Sequence, residues 1–228
     1  MRILYVADLH FRKPWFAWVA EQAPNYDAVV IAGDLLDIFT KHETPLGVQA
    51  EWVAGWIRAC PGKLLIVSGN HDYEYREAGW LKSDLRPGVF VDGQTTQIGG
   101  FQIGLLGWAP GPTLRKADIL VVHAPPSGLT ISLDAKGRDG GWSSSREAVV
   151  RLQPSLVLSG HLHDSAAWSD KLGPSLCLNA GCNLTAALPR FIVINLTAGY
   201  AELHLPAAEL TTPSITAARV NFTVSGSG

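Results

Sequence analysis

Five short apolar runs punctuate this sequence, and they limit the folds open to it. They are residues 2–7 (RILYVA), 27–32 (DAVVIA), 63–68 (KLLIVS), 118–122 (DILVV) and 155–159 (SLVLS). Each is strand-length, rich in β-branched residues and apolar at successive positions, the pattern of a strand covered on both faces. Helical patterns lie between them. Residues 45–60 carry Val48, Trp52, Val53, Trp56 and Ile57 at three- and four-residue spacing, which predicts a helix with one apolar face. Residues 144–152 (SSREAVVRL) begin with serines suited to capping and end before Pro154, which predicts another. Trp15 and Trp18, like Trp52 and Trp56, sit at helical spacing and are read as core. The alternation is that of an α/β protein.

Glycines divide residues 88–107 (GVFV, TTQIGG, FQIGLLG) into two or three expected antiparallel strands, and a similar pair is expected at 174–179 and 190–204. The sum is a two-sheet core with outer helices, one domain over residues 1–205. Residues 124–143, rich in Gly, Pro and Ser, read as a mobile loop or lid. Residues 206–228, ending VSGSG, read as a weakly attached tail.

A chain of 228 residues with 47% hydrophobic content buries a sizeable core. A net charge of −2 with 17% charged residues provides no general positive field, which argues against a long nucleic-acid footprint. The N-terminal apolar run meets Asp8 too soon for a signal-peptide core, and no later run approaches a membrane span. The expectation is a soluble cytoplasmic protein. Cys60, Cys177 and Cys182 are odd in number and lack a CxxC spacing, so they are read as buried reduced thiols.

Side chains able to bind metal follow every run. Residues 2–7 lead to Asp8 and His10; 27–32 lead through Gly33 to Asp34 and Asp37; 63–68 lead through Gly69 to Asn70, His71 and Asp72. The run 118–122 leads to His123, and 155–159 leads through Gly160 to His161 and His163. In α/β sheets the turns after neighbouring strands open onto one crevice, where ligands bind. Taken singly, each Asp reads as a cap or turn residue and each His as a satisfied loop residue. Taken together they do not, because five of the seven histidines stand just beyond a predicted strand. Crowded, desolvated imidazoles and carboxylates would cost several kcal/mol each without a cation.

Asp8, His10, Asp34, Asn70, His123, His161 and His163 outnumber the three or four protein ligands that one catalytic ion takes. Two ions sharing one carboxylate would use them all. A pair about 3.5–4 Å apart suits in-line displacement at phosphorus, polarising a water into hydroxide and neutralising the phosphoryl oxygens. Mixed imidazole and carboxylate donors suit Mn, taken first, or Fe, Zn, Co or Ni better than Ca.

The blocks DLH (8–10), GDLLD (33–37), GNHD (69–72), His123 in VVHAPP and GHLH (160–163) resemble, in this order, the calcineurin-like metallophosphoesterase superfamily, and its compact prokaryotic-type members in particular. Two departures are Phe11, where glycine is common, and Ala180, where proline is common. The resemblance implies a four-layered α/β/β/α sandwich with two mixed sheets. It implies one metal on Asp8, His10, Asp34 and His163 and a second on Asp34, Asn70, His123 and His161, with a bridging hydroxide attacking a small phosphodiester or phosphomonoester. His71 would be the proton donor to the leaving alkoxide, Asp72 its orienting partner, and Asp37 a support for the ligands.

Trp108 and Trp142 are read as packing residues, with stacking on substrate as the alternative. Arg12 and Lys13, with Lys136 and Arg138, are read as solvated surface, with phosphate binding as the alternative. Ser143 to Ser145 lack a GxSxG elbow and are read as a helix cap rather than a nucleophile. Competing functions are metal-dependent amide hydrolysis, a non-catalytic protein-binding scaffold of the same fold, and a nuclease. The GNHD block with its spare histidine argues against the first, the complete donor set against the second, and the absent basic excess against the third.

Overall fold

The first strand, β1 (Arg2–Val6), is covered twice: Ile3 and Tyr5 point to one side, Leu4 and Val6 to the other, and all four are fully buried. Side chains alternate along a strand, so such a run needs a packed layer on each face. The computed structural model of the chain, which describes residues 1–108, 113–206 and 218–223, shows those layers. In chain order the other strands are β2 (Ala28–Ala32), β3 (Leu64–Val67), β4 (Val89–Phe90), β5 (Thr95–Ile98), β6 (Phe101–Leu106), β7 (Ile119–Val122), β8 (Leu156–Ser159), β9 (Ser169–Leu172), β10 (Ser175–Asn179), β11 (Phe191–Asn195), β12 (Tyr200–His204) and β13 (Ala218–Asn221). The α-helices are α1 (Lys13–Gln22), α2 (Leu46–Ala59), α3 (Asn70–Tyr73) and α4 (Ser143–Leu152).

One sheet has the order β13-β12-β11-β1-β2-β3-β4, with β1 to β4 parallel and β11 to β13 antiparallel. The other has the order β5-β6-β7-β8-β10-β9, parallel from β6 to β10 with antiparallel strands at both edges. Ile3, Tyr5, Val30 and Leu65 meet Ile103, Ile119, Leu156 and Leu178 between the sheets. Leu4, Val29 and Ile66 pack outward on Trp15, Phe16 and Val53 of α1 and α2, while Leu120, Val157 and Cys177 pack on Ala148 and Val149 of α4. This is the expected α/β/β/α sandwich. Trp15 is buried, Trp18, Trp52 and Trp56 pack partly exposed on the same cluster, and all three cysteines are buried. No helix among the described residues is long and apolar enough to cross a membrane.

Four local readings change. Only β5 and β6 form the antiparallel hairpin expected in 88–107, because Val89–Phe90 joins the other sheet parallel to β3. The pair expected from 174–179 and 190–204 splits likewise: β10 pairs with β8 and β9, whereas β11 pairs with β1 and β12. The serines of α4 make no side-chain cap; Trp142 holds the N-cap position and Ser143 to Ser145 form the first turn. Residues 124–143 are tied along their length, by Trp142 N–H to Pro125 O (2.8 Å), Gly140 N–H to Ser132 O (2.8 Å), Ala166 N–H to Leu133 O (2.9 Å) and Thr130 N–H to Asp170 Oδ2 (2.7 Å), which is no free lid. Of the expected tail, 207–217 and 224–228 lie outside the described residues, and Ala218–Asn221 pairs with β12 as the sheet's edge strand.

Candidate metal centre

The loops after β1, β2, β3, β7 and β8 meet at one edge of the sandwich and are held by each other's backbones. Asp8 N–H donates to Gly33 O (3.0 Å), His10 N–H to Asp34 O (2.9 Å), Phe11 N–H to Leu35 O (2.8 Å) and Gly160 N–H to His123 O (2.8 Å). Asp8, His10, Phe11, Asp34 and His161 all have positive φ, between 43° and 71°. Each such residue costs about 1–3 kcal/mol, and such strain clusters at functional sites. At Phe11, φ of 53° is a conformation that favours glycine; here the ring is held edge-on to Trp52, centroids 5.6 Å apart. Ala180, at the other departure, donates its N–H to the Tyr5 hydroxyl (3.3 Å), a bond proline lacks. Gly69 is required by close approach, since a Cβ there would overlap the Asp34 carboxylate.

These loops bring all seven candidate ligands and His71 together. His10 Nε2 lies 2.9 Å from His163 Nε2, and His123 Nε2 lies 3.1 Å from Asn70 Oδ1. Donor atoms of Asp8, His10 and His163 converge within 4.8 Å of one another, as do those of Asp34, His123 and His161, and of His10, Asp34 and His71. Asp34 Oδ2 stands between them, 3.5 Å from His123 Nε2, 3.8 Å from His71 Nε2 and 4.0 Å from His10 Nε2. Bonds of about 2.1 Å to one ion at right angles put two nitrogens about 3 Å apart, so the His10–His163 spacing fits a shared cation. His123 Nδ1–H donates to Ala32 O (2.7 Å), which in the neutral ring leaves the Nε2 lone pair facing the crevice. Asp8 accepts His161 N–H with both oxygens, at 3.0 and 3.1 Å.

Burial and charge set the protonation states of the metal-free site. Burial pushes Asp8 up to about 6, against the pull of His123 and His163. Burial likewise drives His10 down to about 3 and His161 down to about 4. At Asp34 burial raises the pKa, but His123, His71 and His10 outweigh it and hold the carboxyl well below the usual range. At His123 burial lowers the pKa, but the Asp34 charge outweighs it and lifts the ring to about 9. An ionised Asp34 among mostly neutral imidazoles is the state that metal binding needs, with a proton on His123 to displace.

Three expected roles need correction. Asp72 does not orient His71: its carboxylate accepts Leu35 N–H (3.0 Å), Leu36 N–H (2.9 Å) and Gly69 N–H (2.8 Å), bracing the turn that carries Asp34. Asp37 is the carboxylate facing His71, with Oδ1 4.0 Å from Nδ1, and it supports none of the metal-ligand candidates by a hydrogen bond among the described residues. Arg12 lays its guanidinium over Trp15 and reaches Ala186 O (3.4 Å), which is a structural contact. Trp108 and Trp142 pack with ring centroids 3.7 Å apart and planes tilted by 36°, and Trp108 lies 5.7 Å from the His123 ring and 5.5 Å from the His161 ring. Two residues were not anticipated. Phe39, exposed, lies edge-on to His71 at 5.1 Å. Asp92, buried, accepts Ser68 N–H (2.8 Å) just before the GNHD turn.

Comparisons with known proteins agree with this geometry. A family model described as calcineurin-like phosphoesterase matches residues 1–165. Among solved structures, TT1561 of Thermus thermophilus is 16% identical, with a TM-score of 0.55 over 96% of this chain and 98% of that one. YfcE, a phosphoesterase from E. coli, is 14% identical, with a TM-score of 0.52 over 98% of this chain and all of that one. The purple acid phosphatase PPD1 from yellow lupin (Lupinus luteus) seeds is 10% identical, with a TM-score of 0.59 over 97% of this chain and 53% of that one. At these identities the likeness is one of fold. No curated protein sequence matches the chain. The family model spans most of the chain and all five donor-bearing loops, and the chain therefore belongs to the calcineurin-like phosphoesterases, a family of metal-dependent phosphoester hydrolases.

Proposed function

We propose that the protein hydrolyses a small phosphate ester, diesters ahead of monoesters, with two metal ions, manganese first among them, on either side of Asp34. Asp8, His10 and His163 would complete one ion's shell, and Asn70, His123 and His161 the other's. The observation that carries this reading is the place of Asp34, whose Oδ2 lies within 4.0 Å of imidazole nitrogens from both groups of donors. Ions bound there would supply Lewis-acid stabilisation of phosphoryl charge and an activated water for in-line attack. The protein's own part is to fix these donors on strained, mutually bonded loops and to deliver a proton. The buried thiols of Cys60 and Cys177 suit a reducing compartment, which supports a cytoplasmic setting. The test is hydrolysis of bis-p-nitrophenyl phosphate and p-nitrophenyl phosphate by metal-stripped protein titrated with manganese. Manganese-dependent turnover, faster on the diester, is expected; no turnover of either ester with manganese, zinc or iron would sink the reading.

His71 is our candidate proton donor. Ile38 N–H donates to its Nδ1 (3.2 Å), so the neutral ring carries its proton on Nε2, the nitrogen facing Asp34. That proton is directed at the crevice, where a leaving oxygen would take it. His71→Gln is expected to keep its metal and to lose about 10²–10⁴-fold in kcat on esters of poorly acidic alcohols. On p-nitrophenyl esters, whose leaving group needs little protonation, the loss is expected to be far smaller. Equal losses on both, measured as kcat against leaving-group pKa, would remove His71 from this role.

A further inference from the structure

Two aromatic rings lie against different histidines of the site. Phe39 stands beside His71, edge-on to its ring at 5.1 Å, with 72% of its surface exposed and so open to a group bound there. Its loop is held in place: Phe39 N–H donates to Asp37 Oδ1 (2.9 Å), and the preceding Ile38 N–H donates to His71. Trp108 stands beside His123 and His161, backed by Trp142. Its backbone N–H donates to Ser68 O (2.9 Å), which ties the Trp108 main chain to the residue before Gly69. Indole and phenyl faces carry negative charge density and offer little to anionic phosphoryl oxygens; flat organic groups suit them.

The proton donor sets the direction. If His71 protonates the leaving oxygen, the departing alcohol lies beside Phe39, and the ring beside His123 and His161 is left for whatever else phosphorus carries. In a monoester that is only oxygen, and in a diester it is a second organic group. We propose that Phe39 and Trp108 determine specificity for a phosphodiester with a flat, aromatic group on each side, Phe39 receiving the departing group and Trp108 the retained one. This rests on the phosphoesterase reading above.

The test compares wild type, Phe39→Ala, Trp108→Ala and Trp108→Phe, all loaded with manganese and matched for metal content. The substrates are bis-p-nitrophenyl phosphate, methyl p-nitrophenyl phosphate and p-nitrophenyl phosphate. Trp108→Ala is expected to lower the preference in kcat/KM for the bis-aryl over the methyl diester about tenfold, with most of it restored in Trp108→Phe. Phe39→Ala is expected to raise KM about tenfold on all three, since all share the aryl leaving group. A Trp108→Ala variant that loses kcat in equal proportion on all three, or a Phe39→Ala variant with unchanged KM throughout, would overturn the proposal alone. Wild type that turns over none of them would remove the phosphoesterase reading, and this inference with it.

Discussion

Asp34→Asn is expected to lower manganese-dependent phosphoesterase turnover by about a thousandfold or more, the scale on which loss of a main transition-state stabiliser is felt. The substitution is nearly isosteric, and the retained oxygen can still accept His71 N–H, as Asp34 Oδ1 does at 2.8 Å. What changes is Oδ2, which becomes an NH₂ group 3.5–4.0 Å from three imidazole nitrogens. A carboxamide carries no charge and turns donors toward the crevice, so the Asn70, His123 and His161 group loses its only carboxylate and the other group keeps Asp8 alone. The variant should therefore remain folded by circular dichroism while binding less metal. Turnover within tenfold of wild type at matched metal loading would show that Asp34 is not shared between ions.

Asp72→Ala is expected to cost about 4 kcal/mol of stability, measured by urea unfolding of metal-stripped protein, because three buried backbone donors would lose their acceptor. Each unsatisfied buried donor costs about 1–3 kcal/mol, and water entering the space left by a fully buried carboxylate recovers part of that. The loss would be a large share of a stability typically about 5–15 kcal/mol. Asp72→Asn should fall between, since its oxygen can still accept from Leu35 and Leu36 while its NH₂ would face the Gly69 N–H. Because those amides hold the turn after Asp34, metal affinity should fall with stability in both variants. A cost under about 1 kcal/mol for Asp72→Ala would mean that the three bonds do not hold the turn.

The parallel strands were legible because burial on both faces writes an unbroken apolar run, and their ends were legible because polar residues then follow at once. Other elements carry no such mark. β9 (SDKL) is polar and lies at a sheet edge, and β4 is two residues long, too short for any period. That the candidate donors would converge could be read from residue type and order, but the carboxylate partners of His71 could not. His71 and Asp72 are adjacent on the single turn of α3, where successive side chains point in different directions. Asp72 turns to the backbone just after Asp34, and Asp37, farther along that same loop, faces His71. Phe39 was missed for a related reason: an exposed ring in a polar loop has no periodicity to announce it, and only its place beside His71 gives it meaning.

If Asp34 joins two metal sites, as proposed, the two ions it bridges are magnetically coupled. The most direct test is to titrate metal-stripped protein with manganese, count ions per chain by elemental analysis and record the electron paramagnetic resonance spectrum at saturation. Two ions per chain with an exchange-coupled spectrum are expected, with loss of that coupling in Asp34→Asn. Saturation at one ion per chain, or two ions with no coupling in the wild type, would contradict that role for Asp34.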